Sequence, residues 1–99
     1  MLATAQPVVT FSLTADDVLS YGMERDPFYA AILEISNRVE GWDWYDVDRR
    51  NRIGDLVQYW GSLYRGPLDV PSSSVEVYRF YVEVTPCLVT VEVYQAEQA

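Results

Sequence analysis

A chain of 99 residues, of which 49% are hydrophobic, is long enough for one domain with its own core. Its formal charge of −8 argues against direct binding to nucleic acid or to an anionic membrane, because both rely on clustered cations. The lack of histidine and the single cysteine exclude an imidazole base, an internal disulfide and a thiolate zinc cluster. We expect residues 1–99 to form a single compact acidic domain that ends in a frayed tail at residues 96–99.

The acidity has two interpretations, which the sequence leaves open. It favours binding to a basic protein surface, and it also serves to keep a small domain in solution. The N-terminus lacks the basic region of a signal peptide, and no apolar run approaches the ~18 residues that cross a membrane. We therefore expect a cytoplasmic protein, located in the host cytoplasm if a phage encodes it.

The first predicted elements are a strand and a short helix. Residues 7–13 alternate between apolar and polar side chains, which predicts a half-buried strand. Thr14 then stands as an N-cap with Asp17 three residues later, an imperfect capping box that predicts a helix at residues 15–22. The apolar face of the strand consists of Val9, Phe11 and Leu13.

A second helix is predicted at residues 27–40. Asp26 and Pro27 form a start signal, and Gly41 stands where a C-terminal glycine belongs. Between them, apolar residues recur at spacings of three and four, which makes one amphipathic face. That face consists of Phe28, Ala31, Ile32, Ile35 and Val39.

A third helix is predicted to begin at a cap on Asp46 or Asp48 and to end at the Gly-Pro pair of residues 66–67. Gly54 and Gly61 would share one flank of this helix at a cost of about 1 kcal/mol each relative to alanine. Close approach by another backbone would explain their presence. The apolar stripe consists of Ile53, Leu56, Val57, Trp60, Leu63 and Tyr64, and Trp60 is assigned with it to the core.

Three arginines, Arg49, Arg50 and Arg52, would lie in the first turn of this helix, where they oppose its dipole. Ion pairs with the nearby Asp46 and Asp48 are expected to offset that penalty. Carboxylates of a partner protein are the alternative.

Residues 75–84 and 87–95 predict two strands, because both alternate and both are rich in β-branched and aromatic residues. Only Thr85 and Pro86 separate them, which predicts an antiparallel hairpin. Cys87 is expected to be a buried, inert thiol. The faces toward the helices would hold Tyr78, Phe80, Val82, Val84, Val89, Val91 and Val93. The outer faces would hold Arg79, Tyr81, Glu83, Thr90, Glu92 and Tyr94.

The order of these elements predicts an α+β fold. It consists of a three-stranded antiparallel sheet, with elements in the order β-α-α-α-β-β and the helices packed on one face.

Residues 40–48 are the first candidate binding site, because four acidic and three aromatic residues are gathered there. Tryptophan and tyrosine dominate interface hot spots, although packing of both tryptophans beneath the helix junction is the alternative. The acid spacing does not match an EF-hand, which also needs a turn glycine and a late glutamate, so we expect no metal and no cofactor. The candidate residues are Glu40, Trp42, Asp43, Trp44, Tyr45, Asp46 and Asp48.

The outer face of the predicted sheet is the second candidate surface, since one face of an antiparallel sheet can remain in water. Its candidate partner-binding residues are Arg79, Tyr81 and Tyr94. Three apolar residues expected on the same side favour a homodimer or a target that covers them. These are Val75, Val77 and Leu88.

The function predicted from these features is that of a non-enzymatic protein-binding module. No nucleophile with a base and no glycine-rich phosphate loop is present, so a small enzyme is a third and unsupported alternative. The best-motivated form is a small acidic inhibitor, a DNA mimic that blocks a nucleic-acid-binding surface of its partner. Phage-encoded blockers of host defence, anti-CRISPR proteins among them, are similar in size and charge, and the analogy rests on those two properties. The second hypothesis is an assembly subunit that self-associates through its sheet.

Overall fold

The computed structural model describes residues 6–22 and 26–96, which form an antiparallel sheet and two α-helices. The elements are β1 (Pro7–Thr14), α1 (Ala15–Ser20), α2 (Pro27–Arg38), β2 (Trp44–Ile53), β3 (Leu56–Arg65), a 3₁₀ turn (Pro71–Ser73), β4 (Val75–Val84) and β5 (Leu88–Gln95). The strand order is β1-β5-β4-β3-β2, and every neighbouring pair is antiparallel.

The predicted three-stranded sheet with three helices is wrong. The segment predicted as the third helix is the β2–β3 hairpin, so the sheet has five strands and the described residues hold two α-helices. Ile53 lies opposite Leu56, and Gly54 adopts a φ of 61° in the two-residue turn between them. Glycine followed by aspartate is a hairpin signal, and it was present in the sequence.

The residues of the predicted helical stripe divide between the two faces of the sheet. Val57 and Leu63 lie on the face toward the helices, opposite Val84 and Tyr78 of β4. Trp60 lies on the other face, so its assignment to the core is wrong. In a strand, successive side chains point to opposite faces, whatever helical periodicity the same residues show.

The strand and both helices at the start of the chain are confirmed, with helix ends two residues earlier than predicted. The capping box is complete, because the backbone N–H of Asp17 donates to the Thr14 hydroxyl and the backbone N–H of Thr14 donates to the Asp17 carboxylate. Asp26 caps α2 by accepting a hydrogen bond from the backbone N–H of Tyr29 at 3.0 Å. These are short-range interactions, which the sequence specifies directly.

The core lies between α2 and one face of the sheet, and Phe28 is its centre. The Phe28 ring stacks on Tyr59 at 4.3 Å between centroids and also contacts Tyr45 and Phe80. All five residues of the predicted α2 face are buried. Nine of the ten predicted inward-facing residues of β1, β4 and β5 pair with one another across the sheet on this same side, and Tyr78 lies opposite Leu63 of β3.

Gly61 lies in the middle of β3, directly beneath the Phe80 ring. A Cβ atom there would overlap that ring and the backbone carbonyl oxygen of Asp46 on β2. Close approach by another backbone is therefore the reason for Gly61, as predicted, although the element is a strand. The same prediction is wrong for Gly54, because a Cβ atom there would meet nothing within 4 Å.

Cys87 is exposed in the turn between β4 and β5, so the prediction of a buried thiol is wrong. At the C-terminus, Ala96 is buried, and its backbone N–H donates to the Val77 carbonyl oxygen at 3.2 Å. The rest of the predicted tail, residues 97–99, lies outside the described residues. None of the helices in the described part of the chain has the length and apolar character needed to cross a bilayer.

Candidate functional site: the open face of the sheet

The helices cover one face of the sheet, and the opposite face, which neither helix covers, is called here the open face. Cross-strand registers place its side chains in rows that run from β2 to β1. The middle row consists of Arg49, Trp60, Tyr81, Glu92 and Thr10. The open face is thus built from all five strands, with polar and aromatic side chains side by side.

Carboxylates outnumber guanidinium groups on the open face. Five carboxylates and two guanidinium groups give it a formal charge of −3. The carboxylates belong to Asp46, Asp48, Glu76, Glu83 and Glu92, and the guanidinium groups belong to Arg49 and Arg79.

Arg79 organises the centre of the open face. Its guanidinium group contacts the Asp48 carboxylate at 2.9 Å and the Glu76 carboxylate at 3.1 Å. Beneath this pair, the fully buried Ser62 hydroxyl donates to the Glu76 carboxylate. All three side chains are partly exposed, so these are ion pairs at the protein surface. Arg79 matches part of the negative charge at the centre of the face.

Two tyrosines on the open face hydrogen-bond to glutamates of their own strands. The Tyr81 hydroxyl donates to Glu83 at 2.8 Å, and the Tyr94 hydroxyl donates to Glu92 at 2.9 Å. Burial raises the pKa of Tyr81, and the hydrogen bond to Glu92 raises the pKa of Tyr94. Both phenols are therefore neutral at neutral pH and donate hydrogen bonds to these side chains.

Five aromatic rings lie on the open face. At one corner, Trp44 stacks on Tyr64 with 4.2 Å between ring centroids, and its indole N–H donates to Ser74. Nearer the centre, the ring centroids of Trp60 and Tyr81 are 5.3 Å apart. The fifth ring belongs to Tyr94 on β5.

Six of the ten predicted partner-binding residues come together on the open face. Two others, Trp42 and Tyr45, pack against the core on the helix side, and burial raises the pKa of Tyr45. The last two, Glu40 and Asp43, are exposed in the connection between α2 and β2. The six residues of the open face are Trp44, Asp46, Asp48, Arg79, Tyr81 and Tyr94.

Asp43 has a structural role. Its carboxylate accepts a hydrogen bond from the backbone N–H of Gly66 at 2.7 Å, and its own N–H donates to the Tyr64 carbonyl oxygen. It therefore ties the start of β2 to the end of β3. Trp42 is likewise engaged, because its indole N–H donates to the Val39 carbonyl oxygen at 2.9 Å.

Six charged or aromatic residues of the open face were not among the predicted partner-binding residues. Glu83 and Glu92 were predicted only on the outer face, and Glu76 received no role. Arg49 was placed in the first turn of a helix, and Trp60 and Tyr64 were assigned to its apolar stripe. The signal that could have found Trp60 is the alternation of residues 56–65, which places it on the same side as Gln58 and Ser62.

The arginines after the acidic segment do not pair with Asp46 and Asp48 as predicted. Among the described residues, the guanidinium group that contacts Asp48 is that of Arg79. Arg49 lies over the Trp60 ring at 4.7 Å, and Arg50 lies over the Tyr59 ring at 5.8 Å. Because these arginines are in a strand, no helix dipole acts on them.

The apolar residues that favoured self-association are not gathered in one place. Val75 begins β4 and Leu88 begins the antiparallel β5, so they lie at opposite ends of the hairpin, roughly 30 Å apart at the usual rise per residue. Val77 is half-buried at an irregularity of β4. Self-association through the sheet stays a prediction.

No family model, curated protein or solved structure matches this chain. Within residues 6–22 and 26–96, no group of three carboxylate or thiol side chains is placed to hold a metal ion.

Proposed function

We propose that this protein is a non-enzymatic binding module that presents the open face to a basic surface of a partner protein. In its most specific form, it is a small acidic inhibitor that occupies a nucleic-acid-binding surface of that partner. The observation that carries the proposal is the combination of five carboxylates with five aromatic rings on the face that neither described helix covers.

Physical chemistry supports this pairing. Nucleic-acid-binding surfaces are rich in lysine and arginine, because these residues neutralise phosphates. A face with an excess of carboxylates can compete with nucleic acid for such a surface. The charges would speed association and select the partner, while the half-buried rings would supply contact area. The phage-type anti-defence role expected from size and charge remains one form of this proposal.

The test compares two variants that remove the same charge from different places. The face variant carries Asp46→Asn, Asp48→Asn and Glu92→Gln. The control variant carries Asp16→Asn, Asp55→Asn and Asp69→Asn, which remove three exposed carboxylates from α1, from the β2–β3 turn and from the loop after β3. Asp43 is left unchanged because its carboxylate holds the Gly66 N–H.

Both variants and the wild type serve as bait in nuclease-treated host lysate at about 50 mM and 300 mM salt, which differ in screening length by more than twofold. We expect the wild type and the control to retain a basic protein at low salt, and the face variant to lose it. Added nucleic acid should displace the bait from that protein. Retention by the face variant equal to that of the control would contradict the proposal.

A further inference from the structure

A depression of about 790 Å³ lies on the open face between β3, β4 and β5. The residues that line it include the aromatic Trp60, Tyr81 and Tyr94 and the acidic Glu76 and Glu92. Its volume is in the range of sites that receive a ligand group. Flat rings with carboxylates at their edges are suited to a flat cation.

The negative charge of the depression is only partly matched from within. Arg79 also lines it, but its guanidinium group is shared between Asp48 and Glu76. Among the described residues, Glu92 has no guanidinium group within salt-bridge distance, and its carboxylate accepts a hydrogen bond from Tyr94. The side of the depression formed by β5 therefore carries unmatched negative charge next to an aromatic ring.

One arginine of the protein itself, Arg49, already lies over an aromatic ring of the open face. Arg49 on β2 places its guanidinium group 4.7 Å from the centroid of the Trp60 ring. Arg49 does not line the depression, whose lining residues apart from Trp60 belong to β4 and β5. A guanidinium group can lie flat on a ring and still direct its in-plane N–H groups to a carboxylate. An ammonium group is more strongly hydrated and lacks this planar geometry.

We infer that this depression is the site for a single arginine side chain of the partner protein, with Trp60, Tyr81 and Tyr94 contacting the guanidinium plane and Glu92 accepting its N–H groups. The inference rests on the proposed function, and it names the residue type that would anchor the partner. Lysine would bind the same face only through its charge.

The test uses single-residue probes and the three indole N–H resonances, which report on three different places. Trp60 lines the depression, Trp44 lies at a corner of the open face, and Trp42 packs against the core. N-acetylarginine amide is expected to shift the Trp60 resonance in a saturable manner and to leave that of Trp42 in place. N-acetyllysine amide, with the same charge, should bind about fivefold more weakly.

Variants then locate the site. Trp60→Leu, followed through backbone amide resonances of β4 and β5, should weaken the arginine probe about tenfold, whereas Trp44→Leu should change its affinity less than twofold. Glu92→Gln leaves the aromatic residues of the depression in place and should weaken binding of the arginine probe about fivefold. It provides a second measurement if Trp60→Leu does not fold. Equal affinity for the arginine and lysine probes, or unchanged binding in either Trp60→Leu or Glu92→Gln, would overturn the inference.

The two proposals fail in different ways. If the arginine probe behaves as expected but the face variant still retains the lysate protein, the arginine site stands and the proposed function fails. If retention depends on the face carboxylates but Trp60→Leu binds the probe as the wild type does, the proposed function stands and the arginine site fails.

Discussion

Single residues set the start of each helix, and the pair of Thr14 and Asp17 is the clearest case. Each side chain accepts a hydrogen bond from the backbone N–H of the other, so two N–H groups that α1 leaves without partners are satisfied. The sequence predicted this interaction because its partners are three residues apart. No tertiary contact is needed to form it.

The capping box makes the free energy of unfolding depend on pH in the acid range. Hydrogen bonds from the Thr14 backbone and hydroxyl lower the pKa of Asp17. A carboxyl with a lowered folded-state pKa contributes stability above its unfolded pKa of about 3.9 and loses it as the pH falls through the folded value. We therefore expect the difference in free energy of unfolding between wild type and Asp17→Asn to be largest near neutral pH and to shrink below about pH 4.

Urea denaturation at several pH values measures this difference. Asp16→Asn is the control, since it removes the same charge from the neighbouring position outside the capping box. A difference that stayed constant down to about pH 2 would contradict the assignment.

At the scale of elements, the β2–β3 hairpin is where local pattern and tertiary structure disagree. Residues 53–64 carry apolar side chains at helical spacing. As a strand, residues 57–63 place Val57, Tyr59 and Leu63 on one face and Gln58, Trp60 and Ser62 on the other. The conflict is resolved by the turn at Gly54, by pairing with β4, and by the two glycines that a helix would disfavour. Strand pairing with β4 joins residues up to 27 positions apart, from Val57 to Val84, and no local pattern records it.

Substitution should cost more stability at Gly61 than at Gly54. Gly61→Ala would place a methyl group into the Phe80 ring and the Asp46 carbonyl oxygen, so we expect it to cost about 1–3 kcal/mol of unfolding free energy as overpacking does. Gly54→Asn is the matched comparison. Its position has a φ of 61° and open space, and asparagine tolerates positive φ, so a cost below about 1 kcal/mol is expected.

Chemical denaturation of both variants decides the point. A Gly61→Ala variant as stable as the wild type would show that β2, β3 and the Phe80 ring can move apart without cost. The close approach would then have no structural importance.

At the scale of the whole molecule, the two faces of one sheet differ in the side chains that they carry. The face beneath α2 holds the core, while the open face holds charges and rings that the fold itself only partly satisfies. α2 is the longer of the two described helices. The aromatic cluster around Phe28 joins this helix to β2, β3 and β4.

Phe28→Ala is therefore expected to destabilise the whole domain by about 3–5 kcal/mol, as removal of a buried aromatic side chain does. That is a large part of the 5–15 kcal/mol that is typical of a domain. Tyr29→Ala is the control, because this neighbour on the same helix is 39% exposed, and a cost below about 1 kcal/mol is expected. Thermal and urea unfolding measure both, and equal costs would contradict the central role of Phe28.

The sequence by itself determined what depends on near neighbours: the capped starts of α1 and α2, the buried face of α2, the alternation of β1, β4 and β5, and the excess of carboxylates. Only the tertiary structure decided that residues 44–65 are two strands and that Trp60, Glu76, Glu83 and Glu92 share the open face with six predicted residues. The physical reason is that a strand is stabilised by partners distant in the chain. Its register then decides which side chains meet on which face.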